Sequence, residues 1–425
     1  MRVLVIAEAA NPEWVSVPLV GWSIYKGLKA VVDVHLITHI RNKEAILKTG
    51  LLEGKDFTVV NSEAIARPLW KLGKLLRGGE GKGWTTTTAI NTFSYYYFEY
   101  LVWKGFKKDI KSGQYDIVHR VTPLSPTVPS LIAKKCSSAN VPFVIGPLNG
   151  GVPWPKEFDS ARRQENEWLS YIRDIYKLMP GYKSTLKYSD AIITGSKYTL
   201  SKIPIKYAGK TFYIPENAIN PEFFNLSLEN NYKKLYACFV GRLVPYKGPD
   251  ILLEAALPLL KLNLLHIDIV GDGPLMALLT EMVIKNGVEN NVTFHGWVAH
   301  SEIQKIMIRS QVMAFPSIRE FGGGVVLEAM ALGIVPLIVD YAGPGELVDN
   351  ETGYKVSLGT RENIIHDLRE KLDFIVKNKS VLNKKGKAAK EKVMRLFTWG
   401  AKSQQIAEIY DWVLKKKIDK PSFFD

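Results

Sequence analysis

Glu320-Phe321-Gly322-Gly323-Gly324-Val325-Val326-Leu327-Glu328-Ala329-Met330-Ala331 is the stretch on which the reading of this chain turns. Two carboxylates, Glu320 and Glu328, stand with seven residues between them, and a triple glycine fills part of that interval. The apolar run Val312 to Phe315 precedes them as a buried strand, and Pro316-Ser317 leads into the turn. Good helix formers with an apolar stripe follow the glycines, so the local geometry reads as strand, glycine turn, helix. Gly322, Gly323 and Gly324 carry no side chains, so a ligand can reach their backbone N–H groups. The first N–H groups of a helix lack intrahelical acceptors and carry partial positive charge, which suits a phosphate. Glu320 then stands before the turn and Glu328 in the helix, each able to accept from hydroxyls. A nucleotide diphosphate sugar has the matching pattern: an anionic centre with a ribose on one side and a hexose on the other. The bland reading is a solvated loop with two surface carboxylates, and the rest of the chain decides between the two.

Working outward, short β-branched runs alternate with amphipathic segments from end to end. Val3–Ala7, Asp33–Thr38, Asp116–Val118, Pro142–Ile145, Ala191–Thr194 and Lys210–Ile214 read as buried strands. A second series follows at Leu235–Val240, Leu265–Val270, Asn291–Phe294, Val312–Phe315 and Pro336–Val339. Pro249–Leu260, Leu275–Asn286 and Ser301–Arg309 between them read as helices. Such alternation predicts α/β architecture with parallel sheets covered on both faces. It pauses at Pro215-Glu216-Asn217-Ala218-Ile219-Asn220-Pro221, followed by a polar, patternless stretch, which marks a domain junction. Two Rossmann-like domains facing each other across a cleft are expected, 1–217 and 218–400, with ligands at the carboxyl ends of the strands.

At 425 residues the chain is long enough for two or three domains, and its 46% hydrophobic and 23% charged content is that of a globular protein. No apolar run reaches the roughly 18–20 residues needed to span a bilayer. The first residues, Met1-Arg2-Val3-Leu4-Val5-Ile6, read as a strand and not as a leader peptide. Two distant cysteines, Cys136 and Cys238, fit a reducing cytoplasmic compartment better than a disulfide framework. A formal net charge of +14 favours an anionic partner: nucleic acid, an anionic membrane surface or a phosphorylated substrate. Nucleic acid lacks support, because no zinc-ligand pattern, RNP-type aromatic motif or helix-turn-helix signal accompanies the charge. Arg67-Pro68-Leu69-Trp70-Lys71-Leu72-Gly73-Lys74-Leu75-Leu76-Arg77 puts four bases on one helical face, and Phe93–Phe98 and Trp103–Lys108 add aromatics and lysines. A basic amphipathic helix of that kind suits peripheral contact with an anionic membrane, here the inner face of the plasma membrane. An ordinary wetted helix face is the alternative.

Several further positions bear chemistry. Val240-Gly241-Arg242-Leu243-Val244-Pro245-Tyr246-Lys247-Gly248 ends a strand at a glycine and sets Arg242 and Lys247 in the following loop. A guanidinium fork and an ammonium point charge both suit phosphate oxygens. Val270-Gly271-Asp272-Gly273-Pro274 and Phe294-His295-Gly296-Trp297-Val298 are two more strand ends with accessible backbone, where a flat base could be bonded near Gly271 and Trp297. In the first half, Asp116-Ile117-Val118-His119-Arg120 ends a strand with a histidine able to donate to a hydroxyl, although a lone histidine there is more often structural.

Together these motifs resemble the GT-B-fold retaining glycosyltransferases of the group 1 (family 4) type. The likeness is most specific in the second half, where Gly-Arg-Leu, Tyr-Lys-Gly, Val-Gly-Asp-Gly-Pro, Phe-His-Gly-Trp-Val, Pro-Ser and the Glu320/Glu328 pair keep the family's order and spacing. Asn217-Ala218-Ile219-Asn220-Pro221 looks like its interdomain motif, with Ala218 and Asn220 as departures. The resemblance implies that Arg242 and Lys247 bind the donor diphosphate, with the N–H groups of Gly322, Gly323 and Gly324 on the phosphates. It implies that Glu328 bonds the ribose, Glu320 contacts the transferred sugar, and His119 bonds the region of the sugar's 6-position. Catalytic duty thus falls to Glu320, His119, Arg242 and Lys247. No cofactor beyond the co-substrate is implied, and the absence of any Asp-x-Asp pair speaks for a reaction without metal.

The residues after the first strand, Glu8-Ala9-Ala10-Asn11-Pro12-Glu13-Trp14, lack the Gly-Gly turn the family often carries, so acceptor contacts do not carry over. The implied partners are a nucleotide-sugar donor and a glycan or glycolipid acceptor, in cell-envelope or exopolysaccharide synthesis. A final amphipathic helix from Ala401 to Lys417 is expected to rejoin the first domain, so that 401–425 belongs with it. A catalytically silent nucleotide-sugar-binding protein is the alternative; it could dispense with Glu320 and His119, and both are present.

Overall fold

A computed structural model describes residues 1–425 apart from 66–67, 69–83, 151, 156–157, 159–176, 178, 227, 229–232 and 425. The chain forms two compact units. Unit 1 comprises Met1–Pro153, Arg162–Glu216 and Trp399–Asp425; unit 2 comprises Trp154–Ala161 and Asn217–Thr398. The expected run 1–217 is therefore interrupted, because Trp154–Ala161 packs with the second unit. Most of the basic stretch Arg67–Arg77 lies outside the described residues.

Unit 1 is built on seven parallel strands: β1 (Arg2–Ala7), β2 (Asp33–His39), β3 (Phe57–Val60), β4 (Ile117–Thr122), β5 (Phe143–Leu148), β6 (Ala191–Thr194) and β7 (Thr211–Tyr213). Their order is β3-β2-β1-β4-β5-β6-β7, so the direction of winding reverses between β1 and β4. Alternate residues of β1 feed the two faces. Val3, Val5 and Ala7 join a cluster with Trp22, Tyr25 and Leu28 of helix Val17–Lys29 and with Ile406, Ile409 and Tyr410 of helix Trp399–Val413. Leu4 and Ile6 face Tyr95, Phe98 and Val102 of helix Trp84–Lys111 and Ile132 of helix Ile132–Ser138. Both faces are dry, which explains the unbroken apolar runs of these strands. The helices Val17–Lys29 and Trp399–Val413 approach so closely that a Cβ on Gly27 would lie 2.1 Å from the Ser403 hydroxyl. The last helix of the chain is thus part of the first unit.

Unit 2 has six parallel strands: β8 (Leu235–Val240), β9 (Leu265–Val270), β10 (Val292–Gly296), β11 (Val312–Phe315), β12 (Val335–Val339) and β13 (Tyr354–Val356). Their order is β10-β9-β8-β11-β12-β13, with the reversal between β8 and β11. Helices Pro249–Lys261, Met276–Lys285, His300–Met307, Gly324–Ala331 and Arg361–Lys377 connect or cover them. Each unit is Rossmann-like, and ligands of such sheets gather at the carboxyl ends of the strands, near the reversal. Among the described residues no helix is long and apolar enough to cross a membrane.

Candidate active site

The carboxyl ends of β8, β9, β10 and β11 gather most of the residues singled out in the sequence. Gly241 donates its N–H to Val270 O at 3.0 Å, and Gly271 donates to Gly296 O at 2.8 Å, so the three turns are laced together by backbone. The turn after β8 then tightens into Pro245–Lys247, and Ile318 N, just past β11, donates to Tyr246 O at 2.9 Å. That bond draws the loop carrying Lys247 onto the loop carrying Glu320. The two side chains meet as an ion pair, each about one-fifth exposed. The Lys247 ammonium also stands 5.2 Å from the centre of the Phe315 ring.

The triple glycine does what its composition requires. Gly323 caps helix Gly324–Ala331 in the left-handed region, at φ 63°, which a side chain would strain. A Cβ there would also lie 3.0 Å from Leu347 Cδ1 and 3.2 Å from Pro344 N. Gly343 N donates to Glu320 O at 3.1 Å, fixing the start of the turn. The helix thus opens on backbone N–H groups without intrahelical acceptors. A Cβ on Gly324 would lie 3.7 Å from the Asn217 amide nitrogen, so the junction residue Asn217 stands at this helix start.

Glu328 lies within that helix and accepts from the imidazole of His300 at 2.8 Å. Glu328 raises the His300 pKa above its ordinary value through that hydrogen bond. His300 begins helix His300–Met307 and packs edge-on against Phe224 at 5.6 Å. Arg242 is exposed, and its guanidinium has no hydrogen-bond or ion-pair partner among the described residues. Trp297 follows β10 and is 79% exposed, leaving its indole face open to solvent.

Two features escaped the sequence reading. His300 is one; its pairing with Glu328 spans 28 residues and belongs to no contiguous motif. The other is the Trp154–Ala161 stretch, which brings Trp154 to 4.6 Å from the Arg319 guanidinium. Arg319 also stands 5.4 Å from the Phe321 ring, and Trp154 meets Tyr246 edge-on at 5.9 Å. Both loops that deliver Lys247 and Glu320 are thereby braced by aromatic contacts. An Arg one place before Glu320 and aromatics flanking both motifs were the available signal.

His119 requires a correction. Strand β4 runs on to Thr122, so His119 is mid-strand and not at a strand end. It pairs in register with Val5 on one side and Val144 on the other and has no exposed surface. Its Nε2 lies 2.8 Å from Gly146 O and its Nδ1 2.6 Å from the Tyr410 hydroxyl. A carbonyl only accepts, so Nε2 carries the proton and Nδ1 accepts from Tyr410. Burial pushes the imidazole pKa down to about 4. With both ring nitrogens occupied inside unit 1, this histidine has nothing left to offer a sugar.

Comparison with known proteins follows the same division. Residues 222–392 match the family model for glycosyl transferases group 1. An uncharacterized glycosyltransferase of Methanocaldococcus jannaschii is 28% identical over 230 residues, 54% of this chain and 62% of that protein. A GDP-mannose-dependent alpha-(1-6)-phosphatidylinositol monomannoside mannosyltransferase of Mycobacterium tuberculosis is 27% identical over 259 residues, 55% of this chain and 66% of that one. The chain thus spans less than two thirds of the length of either relative. The crystal structure of a glycosyltransferase from Rickettsia africae superposes with a TM-score of 0.62 at 17% identity, covering 98% of this chain and 99% of that one. The family match places a group 1 glycosyl transferase module at residues 222–392, within unit 2, and the structural match, which runs nearly end to end, shows that the chain as a whole has the GT-B fold.

Proposed function

We propose that the protein transfers a sugar from a nucleotide diphosphate sugar to a hydroxyl of a glycan or lipid-linked acceptor, with retention at the anomeric carbon and without metal. The observation that carries this reading is the convergence of Lys247, Glu320 and the glycine-started helix in unit 2, with seven residues between Glu320 and Glu328 in the same segment. In this reading the diphosphate lies on the helix N-terminus, with Arg242 and Lys247 supplying the cations. Glu328 accepts from the ribose diol, and Glu320 stands by the hexose.

The anomeric carbon–oxygen bond breaks, and its electron pair leaves with the diphosphate. Arg242, Lys247 and the preorganised N–H groups stabilise that charge as it grows. The acceptor hydroxyl forms the new bond on the face the diphosphate vacates, and its proton passes to a departing phosphate oxygen. Two cations and a helix terminus answer the charge that a divalent ion would otherwise meet. The relative that acts on a phosphatidylinositol mannoside supports an acceptor of glycolipid class. It also supports work at a membrane face, which the +14 net charge would favour for an anionic bilayer.

A thermal-shift panel of nucleotide diphosphates and their sugars tests the reading, repeated on Glu328→Ala and Arg242→Ala. A rise with one nucleotide, lost in both variants, is expected. No rise with any nucleotide on the folded protein would overturn the donor site. Donor binding without transfer or donor hydrolysis would favour the silent binding protein. Sedimentation with vesicles containing anionic lipid tests the membrane face.

A further inference from the structure

We infer that Asn149 reads the hydroxyls of a neutral sugar, forming the centre of an acceptor site at the carboxyl edge of the unit 1 sheet. The amide directly follows β5, and the residue is only 6% exposed. Neither its side-chain oxygen nor its side-chain nitrogen has a hydrogen-bond partner among the described residues. Buried amides are almost always satisfied, so a pair of idle groups on one side chain calls for an occupant.

Its surroundings hold the amide in place without satisfying it. Asn149 N donates to Leu124 O at 2.8 Å, fixing the residue to the loop that follows β4. On the other side, a Cβ on Gly195 would lie 3.0 Å from Asn149 Cβ and 3.1 Å from Glu216 Cβ. The side chain is therefore wedged between the turns after β4 and β6. The loop after β4 presents a half-buried pair of hydroxyls, with Ser125 Oγ and Thr127 Oγ1 2.7 Å apart.

That loop is held from beneath. The guanidinium of Arg120, fully buried, donates to Val128 O at 2.8 Å. The carboxylate of Glu99 accepts from the Ser130 hydroxyl and from Leu131 N at 2.6 Å. A rigid rim of hydroxyls beside a fixed, idle amide is a preorganised site.

The chemistry selects the ligand class. An amide offers two donors and an acceptor with no net charge. Adjacent sugar hydroxyls, each donor and acceptor, answer both ends of it, whereas a phosphate would leave the amide oxygen facing an anion. The carboxyl edge of a parallel sheet is also where ligands of this architecture bind. Naming the sugar as the acceptor rests on the transfer reaction proposed above; the hydroxyl-reading site itself does not.

Saturation-transfer NMR with methyl α- and β-glycosides of glucose, galactose and mannose tests the site, on the wild type, Asn149→Leu and Asn149→Ala. Nucleotide-induced thermal shifts are recorded in parallel. At least one glycoside is expected to receive saturation from the wild type, with at least a tenfold loss in both variants and an unchanged nucleotide shift. No glycoside signal from the wild type, or an equal signal from the variants, would overturn the inference. Variants that unfold would show the amide to be structural and overturn it as well. If the glycoside pattern is as expected but no nucleotide binds the wild type, the sugar site stands and the transfer reaction falls.

Discussion

The Lys247 ammonium and the Glu320 carboxylate neutralise one another across 73 residues of sequence, at the point where two strand-end loops of unit 2 are drawn together. The cation proposed for the diphosphate is thus paired with the carboxylate proposed for the sugar. Lys247→Ala is expected to lower turnover by about 10²–10³-fold, the usual cost of removing a preorganised charge at a leaving group. Glu320→Gln releases Lys247, so it should bind the nucleotide diphosphate as tightly as the wild type or a few-fold more tightly, while transfer falls. Calorimetry with the nucleotide and steady-state kinetics on both variants check this. Equal losses of nucleotide affinity in the two variants would refute the division of labour.

His300 and Glu328 give a pH dependence. Glu328 holds the His300 pKa above its ordinary 6.5, so the pair is fully formed below that value and dissolves as pH rises through the raised one. In the proposed donor site the ribose takes the same carboxylate. Affinity for a nucleotide diphosphate sugar should therefore rise a few-fold as His300 loses its proton. His300→Gln should bind more tightly at pH 6 and show a flattened profile. Titrations between pH 6 and 9, with a nucleotide sugar whose phosphates do not titrate in that range, decide the matter.

Lys402 is 2% exposed in helix Trp399–Val413, and burial pushes its pKa down to about 7, against the pull of Glu216. Between about 7 and the ordinary 10.5 the unfolded chain binds more protons than the folded one. Stability should consequently rise with pH across that window, and the full cost of charging is carried below it. Lys402→Met should gain on the order of 2–4 kcal/mol at pH 7 and lose the slope. Urea denaturation at pH 7 and 9.5 measures both.

The Tyr410 hydroxyl satisfies His119 Nδ1 inside unit 1. Tyr410→Phe leaves that nitrogen buried and idle, which should cost about 1–2 kcal/mol of stability. Because the imidazole is placed in the core, nucleotide affinity should not change. A fall in donor affinity at unchanged stability, seen by calorimetry and denaturation, would return His119 to the substrate.

Of the thirteen strands among the described residues, eleven were legible in the sequence because parallel strands buried on both faces are written as plain apolar runs. Phe57–Val60 and Tyr354–Val356 were not. Each is short and lies at a sheet edge, where one side of the ladder is unpaired and the apolar signal thins. In the site, residues carried by one contiguous motif were readable, such as Gly322–Gly324 with Glu320 and Glu328. Contacts made across the fold were not. Nothing in the order of residues couples His300 to Glu328, or Trp154 to Arg319, because the loops that join them are brought together only by strand order. His119 was misplaced for a simpler reason: β4 extends four residues beyond the end read at Val118, and every residue gained moved the histidine deeper into the sheet.

The discontinuity of unit 1 bears on the order in which the protein is made. Val3 and Val5 open a core that Ile406, Ile409 and Tyr410 close. While the nascent chain lengthens, the outer face of helix Val17–Lys29 stays bare, waiting for a partner that follows unit 2 in the sequence. All six strands of unit 2 emerge before that partner does. The half that begins second is thus the first with a complete set of parts, and the half that begins first needs shelter until helix Trp399–Val413 has been made.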